Sequence, residues 1–354
     1  MNTVLRVGVI GAGSIAKYHC EAIEKTGRLK LVAVSSRNID RAKGMAEQFH
    51  AEAFYTDYNE LLLNPDIDAV VIATPTFSHC EIVKKALEHG KHVFCEKPPA
   101  MTAAQTAECT ELAEKLGKVL MYGFVCRFSG RMKLLKELID DGRLGDIYYS
   151  EAVRIKDVTD IKGWFINKDK ARGGELFDAC IHEIDQVLHL MGYPKPKYVS
   201  AMWSHENSGL SDRVKNKEFD WASAENSAEE NTIETLVSAI IHFENGSAFA
   251  IKSGRNMYID KNERGYTLLG NKAGIRFDGN EIYLTEVNDD NCLETTVLTP
   301  PDLGDGFVCE FSHFADCCLN GTACTCSNDE AVKLMKIMDA IYESAEKGEP
   351  VYSN

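Results

Sequence analysis

The chain is short of basic charge, of long apolar runs and of patterned cysteine. It carries 39 Lys and Arg against 54 Asp and Glu in 354 residues, a formal net charge of −15. A surface this acidic is repelled by phosphate backbones and anionic lipid, which argues against nucleic-acid or membrane-surface binding. The longest apolar stretches, such as Val119 to Val125, are far too short to cross a bilayer. Only Met1 to Leu5 precedes the first strand-like run, so no cleavable leader is expected. Twelve cysteines fall well short of the share that marks a disulfide scaffold. Most stand singly, as Cys20, Cys80, Cys95, Cys109, Cys126 and Cys180 do, so free thiols in a reducing cytoplasm are the expectation. The one cluster, Cys317, Cys318, Cys324 and Cys326, lacks the regular spacing that structural zinc sites favour. A buried helix end and a turn at Asn320 and Gly321 are expected there instead. No internal repeat or low-complexity tract is visible.

What is present is a globular composition, 44% hydrophobic and 26% charged, in a length that suggests about two domains. In the first third, short β-branched runs alternate with helical stretches. The runs are Val7 to Ile10, Leu31 to Val34, Ala69 to Ala73, His92 to Cys95 and Val119 to Met121. Continuous apolar strands between amphipathic helices are what a parallel sheet covered on both faces requires. Asp57 before an apolar run and Thr102 three residues before Gln105 read as helix starts, and Gly90 and Gly117 as stops. The fold class is therefore α/β, with a doubly wound Rossmann domain over 1–124.

From about residue 130 the texture changes. Helical segments at 132–140 and 175–191 precede strand-like runs at 147–154, 198–203, 232–243, 247–252, 266–269, 274–277 and 282–285. Two closing helices, 309–319 and 329–346, complete the chain. This predicts a second domain, 125–354, α+β in type, with an open, largely antiparallel sheet and last helices that pack back on the first domain. An open sheet face has to be covered, and a partner subunit is one way to cover it. The polar stretch 205–230 reads as a long loop.

The first motif is Gly11-Ala12-Gly13-Ser14-Ile15-Ala16, a G-x-G-x-x-A directly after strand one and opening a helix. Gly11 permits the tight turn, Gly13 lets a pyrophosphate approach the backbone, and small Ala16 lets helix and strand pack closely. At the end of strand two, where NAD binders place an acid for the ribose 2′-hydroxyl, stand Ser35-Ser36-Arg37, with Arg41 one turn on. A serine hydroxyl and a guanidinium fork suit a 2′-phosphate, which favours NADP(H) and leaves NAD(H) possible. The bland alternative is an Arg37 that stacks on adenine or is simply solvated.

Three further motifs follow. Ala73-Thr74-Pro75-Thr76-Phe77-Ser78-His79 stands at the carboxyl end of a buried strand, where doubly wound sheets bind ligands. Glu96-Lys97-Pro98-Pro99 stands at the end of the next. Gly173-Gly174 leads into a helical stretch on which Asp178, His182 and Asp185 sit at i, i+4 and i+7 and share one face. Spacing alone leaves three readings of that face open: a catalytic pair, metal ligands continued by His189, or a polar stripe.

In their order and separations, G-x-G-x-x-A, A-T-P-x-x-x-H, E-K-P and G-G-x-L-x-D-x-x-x-H-x-x-D resemble the Gfo/Idh/MocA family, over nearly the whole chain. The resemblance implies an NAD(P)-dependent dehydrogenase or reductase. It would transfer hydride between the nicotinamide and a hydroxyl or carbonyl carbon of a sugar, inositol or related polyol. It further implies Lys97, Asp178 and His182 as catalytic residues, with His182 the acid/base and Lys97 the cation beside the developing alkoxide. Gly11, Gly13, Ser14, Ile15, Ser36, Arg37, Thr74, Pro75, Glu96 and Lys97 would line the cofactor. Lys97, Arg127, Trp164, Asp178 and His182 would line the substrate, and no metal is required. A small-molecule substrate and a homo-oligomer, dimer or tetramer, through the second domain's sheet are the implied partners. Two departures stand out: Thr76 replaces the frequent asparagine of A-T-P-N, and Ser36 replaces the acid after strand two. Rival readings are a reductase of less polar substrates like dihydrodiol dehydrogenase or biliverdin reductase, a redox-neutral NAD-dependent glycosidase, and a non-catalytic dinucleotide sensor. The last should have lost Lys97 or His182, and both are present.

Overall fold

The structure is a computed structural model that describes residues 4–159, 161–214 and 230–353. It divides into two compact units, Met1–Ser129 with Leu303–Val332, and Gly130–Asp302 with Lys333–Asn354.

The first unit is built on six parallel strands: β1 (Leu5–Ile10), β2 (Leu29–Ser35), β3 (Ala53–Tyr55), β4 (Ala69–Ile72), β5 (His92–Glu96) and β6 (Leu120–Gly123). Their order is β3-β2-β1-β4-β5-β6, which puts the topological switch between β1 and β4. Every residue of β4 and β6 is buried, which is why those strands read as unbroken apolar runs. The expected helix signals take these roles. Thr102 Oγ1 accepts the Gln105 N–H at 3.2 Å, while Gln105 Oε1 accepts the Met101 N–H at 3.0 Å. Gly117 ends that helix in the left-handed conformation, at φ 61°. The helix Gly306–Asn320 belongs to this unit and packs on the first helix, Ser14–Thr26; it stops at Gly321, φ 69°. The helix end and turn expected there are both found.

The second unit holds a nine-stranded sheet. Its strands are β7 (Ile147–Ile155), β8 (Pro196–Ser204), β9 (Leu236–Phe243), β10 (Ala248–Gly254), β11 (Glu263–Gly270), β12 (Ala273–Phe277), β13 (Ile282–Val287), β14 (Leu293–Leu298) and β15 (Val351–Tyr352). The order is β14-β13-β12-β11-β7-β10-β9-β8-β15, and only β7 with β10 runs parallel. One face is apolar and buried, through residues such as Val237, Ile241, Phe249, Ile251, Leu268 and Ile275.

Two differences from the sequence reading have physical causes. The run expected as strand from Thr232 begins its ladder only near Leu236, because residues 232–234 are engaged elsewhere: Thr232 N bonds to Ile166 O, and the Glu234 side chain accepts the Gly174 N–H. The edge strand β14 went unforeseen because it buries nothing: Leu293 is 79% exposed. Of the expected loop 205–230, residues 215–229 lie outside the described residues, and Leu210–Arg213 forms a short helix.

Candidate active site

The first unit supplies a dinucleotide cradle. Gly11 sits at φ 109°, and a Cβ there would lie 2.4 Å from the Ala73 carbonyl oxygen, so both conformation and space demand glycine. Gly13 has ordinary extended dihedrals and is the N-cap of the Ser14–Thr26 helix; no side chain caps it and no acid stands in the first turn. A Cβ on Gly13 would meet nothing within 4 Å. The amides that open this helix therefore face open space with the positive end of the helix dipole behind them, an arrangement that fits a pyrophosphate. Ala16 is fully buried beneath the turn.

At the end of β2, Ser36 is half-buried and Arg37 and Arg41 are exposed. Neither arginine makes an ion pair among the described residues. Asn38 caps the next helix by accepting the Arg41 N–H at 3.1 Å, which holds this short stretch in place.

The loops after β4 and β5 carry the remaining cradle residues, and His79 clasps them together. Its buried ring places Nε2 2.8 Å from the Thr74 carbonyl oxygen and Nδ1 2.8 Å from that of Pro98. Burial holds the His79 pKa below its ordinary value, against the pull of these two carbonyls. Glu96, 7% exposed, ends β5; one carboxylate oxygen accepts the Lys97 N–H at 2.9 Å and the other lies 2.7 Å from His19 Nε2. Burial pushes the Glu96 carboxyl up, but His19 and the Lys97 charge and N–H outweigh it and hold it below the ordinary range. His19 is fully buried, edge-on to Phe94, Phe307 and Phe311. Its one signal in the sequence is a position four residues after Ile15, on the same helix face. Lys97 is half-buried and joined to Pro98 by a cis bond.

Arg127 was expected against substrate or nicotinamide. Its side chain is 1% exposed, pairs with Glu330, donates to the Thr325 carbonyl oxygen at 2.9 Å and lies over the Phe124 ring.

The second unit supplies the acid/base candidates. A Cβ on Gly173 would lie 1.8 Å from the Tyr342 hydroxyl and one on Gly174 2.4 Å from the Glu234 carbonyl oxygen, so the pair is dictated by packing. Beyond them the chain does not enter the uninterrupted α-helix that the sequence spacing assumed. Leu176–Cys180 is one π-turn, followed by the α-helix Ile181–Leu190. The π-turn inserts a residue into the helical register; such insertions recur at functional sites. Asp178 and His182 are both half-buried, whereas Asp185 is buried and accepts the Tyr193 hydroxyl at 2.9 Å. Asp185 thus anchors the helix.

Ion pairs on two buried carboxylates brace this element against the sheet. Arg154 on β7 donates to Glu175 at 2.8 Å and to Glu183 at 2.9 Å, Lys156 reaches Glu175 at 3.1 Å, and Arg264 on β11 reaches Glu183 at 2.8 Å. Neither acid stands out in the sequence, because both partners come from distant strands. Trp164 is half-buried and stacks on Phe165 with ring centroids 3.8 Å apart.

Residues 5–124 match the family described as an oxidoreductase family with NAD-binding Rossmann fold, and residues 136–352 match its C-terminal alpha/beta domain. The chain belongs to the Gfo/Idh/MocA oxidoreductase family. Like its relatives it is an NAD(P)-dependent oxidoreductase acting on CH–OH groups. D-glucoside 3-dehydrogenase of Escherichia coli K12 is 31% identical over 351 residues, 97% of this chain and 96% of its own length. Myo-inositol 2-dehydrogenase of Thermotoga maritima is 29% identical over 301 residues, 85% of this chain and 80% of its own. Among solved Gfo/Idh/MocA-like folds, aldose-aldose oxidoreductase from Caulobacter crescentus, crystallised with glycerol, superposes with a TM-score of 0.85 at 23% identity, covering 99% of this chain and 100% of that one. Among the described residues no helix is long and apolar enough to cross a membrane.

Proposed function

We propose that the chain oxidises a ring or chain hydroxyl of a sugar or inositol-type polyol, or runs the reverse reduction, with NADP(H) preferred over NAD(H). The observation that carries the substrate class is the full-length likeness to D-glucoside 3-dehydrogenase, 31% identical over 97% of the chain. The cofactor preference rests on Ser36, Arg37 and Arg41 standing where an acid would bind a 2′-hydroxyl.

When bound, the nicotinamide supplies the two-electron acceptor for a carbinol carbon. Gly11, Gly13, Ser14 and Ile15 hold the pyrophosphate on main-chain amides, with Thr74, Pro75 and Glu96 lining the remainder. His182 takes the hydroxyl proton, because imidazole titrates near working pH. Asp178 orients His182, and the Lys97 ammonium stabilises the developing alkoxide. Glu96 fixes the start of the Lys97 loop through its bond to the Lys97 N–H. Trp164 covers the substrate, and Arg127 holds the chain segment that follows β6. The second sheet, whose strand β8 leaves Met202 48% exposed, joins copies of the chain in a homo-oligomer.

The test is thermal unfolding of the apo protein with matched NADPH or NADH, followed by a screen of glucosides, aldoses and inositols with the preferred cofactor. A ligand that binds only the native state raises the melting temperature by mass action. The reading expects the larger shift with NADPH, lost in Arg37→Ala. A larger shift with NADH assigns Arg37 another task, and no oxidation of any polyol overturns the substrate class.

A further inference from the structure

The helix Gly306–Asn320 and the turn after it bring together three soft donors that the dehydrogenase reading does not use. His313 and Cys317 lie four residues apart on one helix face, and Cys324 returns to them from the turn beyond Gly321. One donor atom from each lies within 4.8 Å of the others, a convergence found nowhere else among the described residues. Cys317 Sγ is 3.5 Å from His313 Nε2. A tetrahedral ion with sulfur at about 2.3 Å and imidazole nitrogen at about 2.0 Å holds that pair about 3.5 Å apart. The His313 ring is packed beside Phe128, with centroids 5.4 Å apart, so the helix presents it in one orientation.

We propose that His313, Cys317 and Cys324 form a binding site for a thiophilic divalent metal ion, Zn2+ by preference, with the fourth position left to water. Two thiolates and an imidazole suit zinc over magnesium or calcium, which take oxygen donors. Any proton still on the two sulfurs leaves to solvent as the ion binds. The His313 lone pair is at present shared with the Thr325 N–H, 2.9 Å from Nε2. Loading the site therefore frees the Thr325 peptide, whose carbonyl oxygen accepts from Arg127. The site reports on the segment after β6 and takes no part in the chemistry assigned to Lys97 and His182.

The experiment titrates the reduced, full-length protein with Co2+ as a spectroscopic probe. The expected result is one equivalent bound, with sulfur-to-cobalt charge-transfer absorption that Zn2+ abolishes by displacement. Cys317→Ser and Cys324→Ser should each lose that band, while Cys292→Ser, an exposed thiol of the second unit, should keep it. A reduced protein without the band, or a band that survives in both serine variants, overturns the proposal. A second measurement needs no variant: Zn2+ should protect Cys317 and Cys324 of the native chain from iodoacetamide, and equal labelling with and without Zn2+ overturns it. If mild oxidation joins the two sulfurs while the reduced form takes up no cobalt, the pair is a redox couple and the metal assignment fails.

Discussion

The two sheets do different work with different materials. In the six-stranded sheet β4 and β6 are buried from end to end, so what is left to meet a ligand is what lies beyond the strands' carboxyl ends: the helix-start amides at Gly13, the carbonyls clasped by His79, the Lys97 loop. The nine-stranded sheet alternates buried and exposed residues, as β9 does, and presents its candidates through a helix fastened by charged side chains. Backbone binding depends little on neighbouring side chains and suits a cofactor common to many enzymes. Side-chain positioning depends on each brace and suits a substrate that differs from one enzyme to the next. The two units should therefore answer differently to substitution.

The largest effect is expected at the groups proposed to carry the chemistry. Lys97→Ala and His182→Ala should each lower turnover by about 10⁴-fold, the upper end for a positioned proton-transfer or charge-stabilising group, while retaining the melting-temperature rise given by cofactor. Full turnover in either variant removes that residue from the mechanism. Next is the brace. Glu183→Gln leaves Arg154 and Arg264 short of a buried partner and should cost about 4 kcal/mol in denaturant unfolding, with a loss of turnover beyond any change in cofactor affinity. Smaller effects separate the two glycines of the cradle. Gly11→Ala should destabilise by about 3 kcal/mol through strain and collision with Ala73. Gly13→Ala should cost about 1 kcal/mol at most, yet weaken dinucleotide binding in a titration, since the added methyl enters the open space proposed for the pyrophosphate.

The smallest effect separates two buried carboxyls of the first unit. Burial first, and the charge of Glu96 second, raise Glu310 well above the ordinary 4.5. The unfolded chain then loses that proton first, so the native state loses stability as pH rises from 4.5. Glu310→Gln should accordingly stabilise the protein at pH 7, with the gain vanishing below pH 4.5. Glu96 has its pKa lowered, so its contribution is present above 4.5 and lost as pH falls below it. Glu96→Gln should therefore destabilise at pH 7. Unfolding curves at pH 4 and pH 7 for both variants check the two signs.

The cradle was legible because its requirements are local. A turn at positive φ, a helix start without an acid and a fully buried strand each leave their mark within a few residues, as Gly11 to Ala16 and Ala69 to Ile72 do. The partners of those residues were not legible. His19 meets Glu96, and Glu183 meets Arg154 and Arg264, only across the fold, and no spacing in the chain announces such pairs. The π-turn at Leu176–Cys180 hid for a related reason: Asp178 within it and His182 just beyond it keep the four-residue separation of an ordinary helix. His313 escaped notice because the cysteines near it lack regular spacing, and only the turn beyond Gly321 carries Cys324 back to it.

The closeness of Tyr342 to Gly173 gives the last helix a reach that its place in the chain conceals. The hydroxyl occupies the space a side chain on Gly173 would need, and it donates at 3.0 Å to the same Glu234 oxygen that accepts the Gly174 N–H. The tail of the polypeptide is in this way a doorstop for the turn that carries Asp178. Trimming the chain ahead of Tyr342 would leave every catalytic candidate in the sequence and still loosen the segment on which the placing of Asp178 and His182 depends.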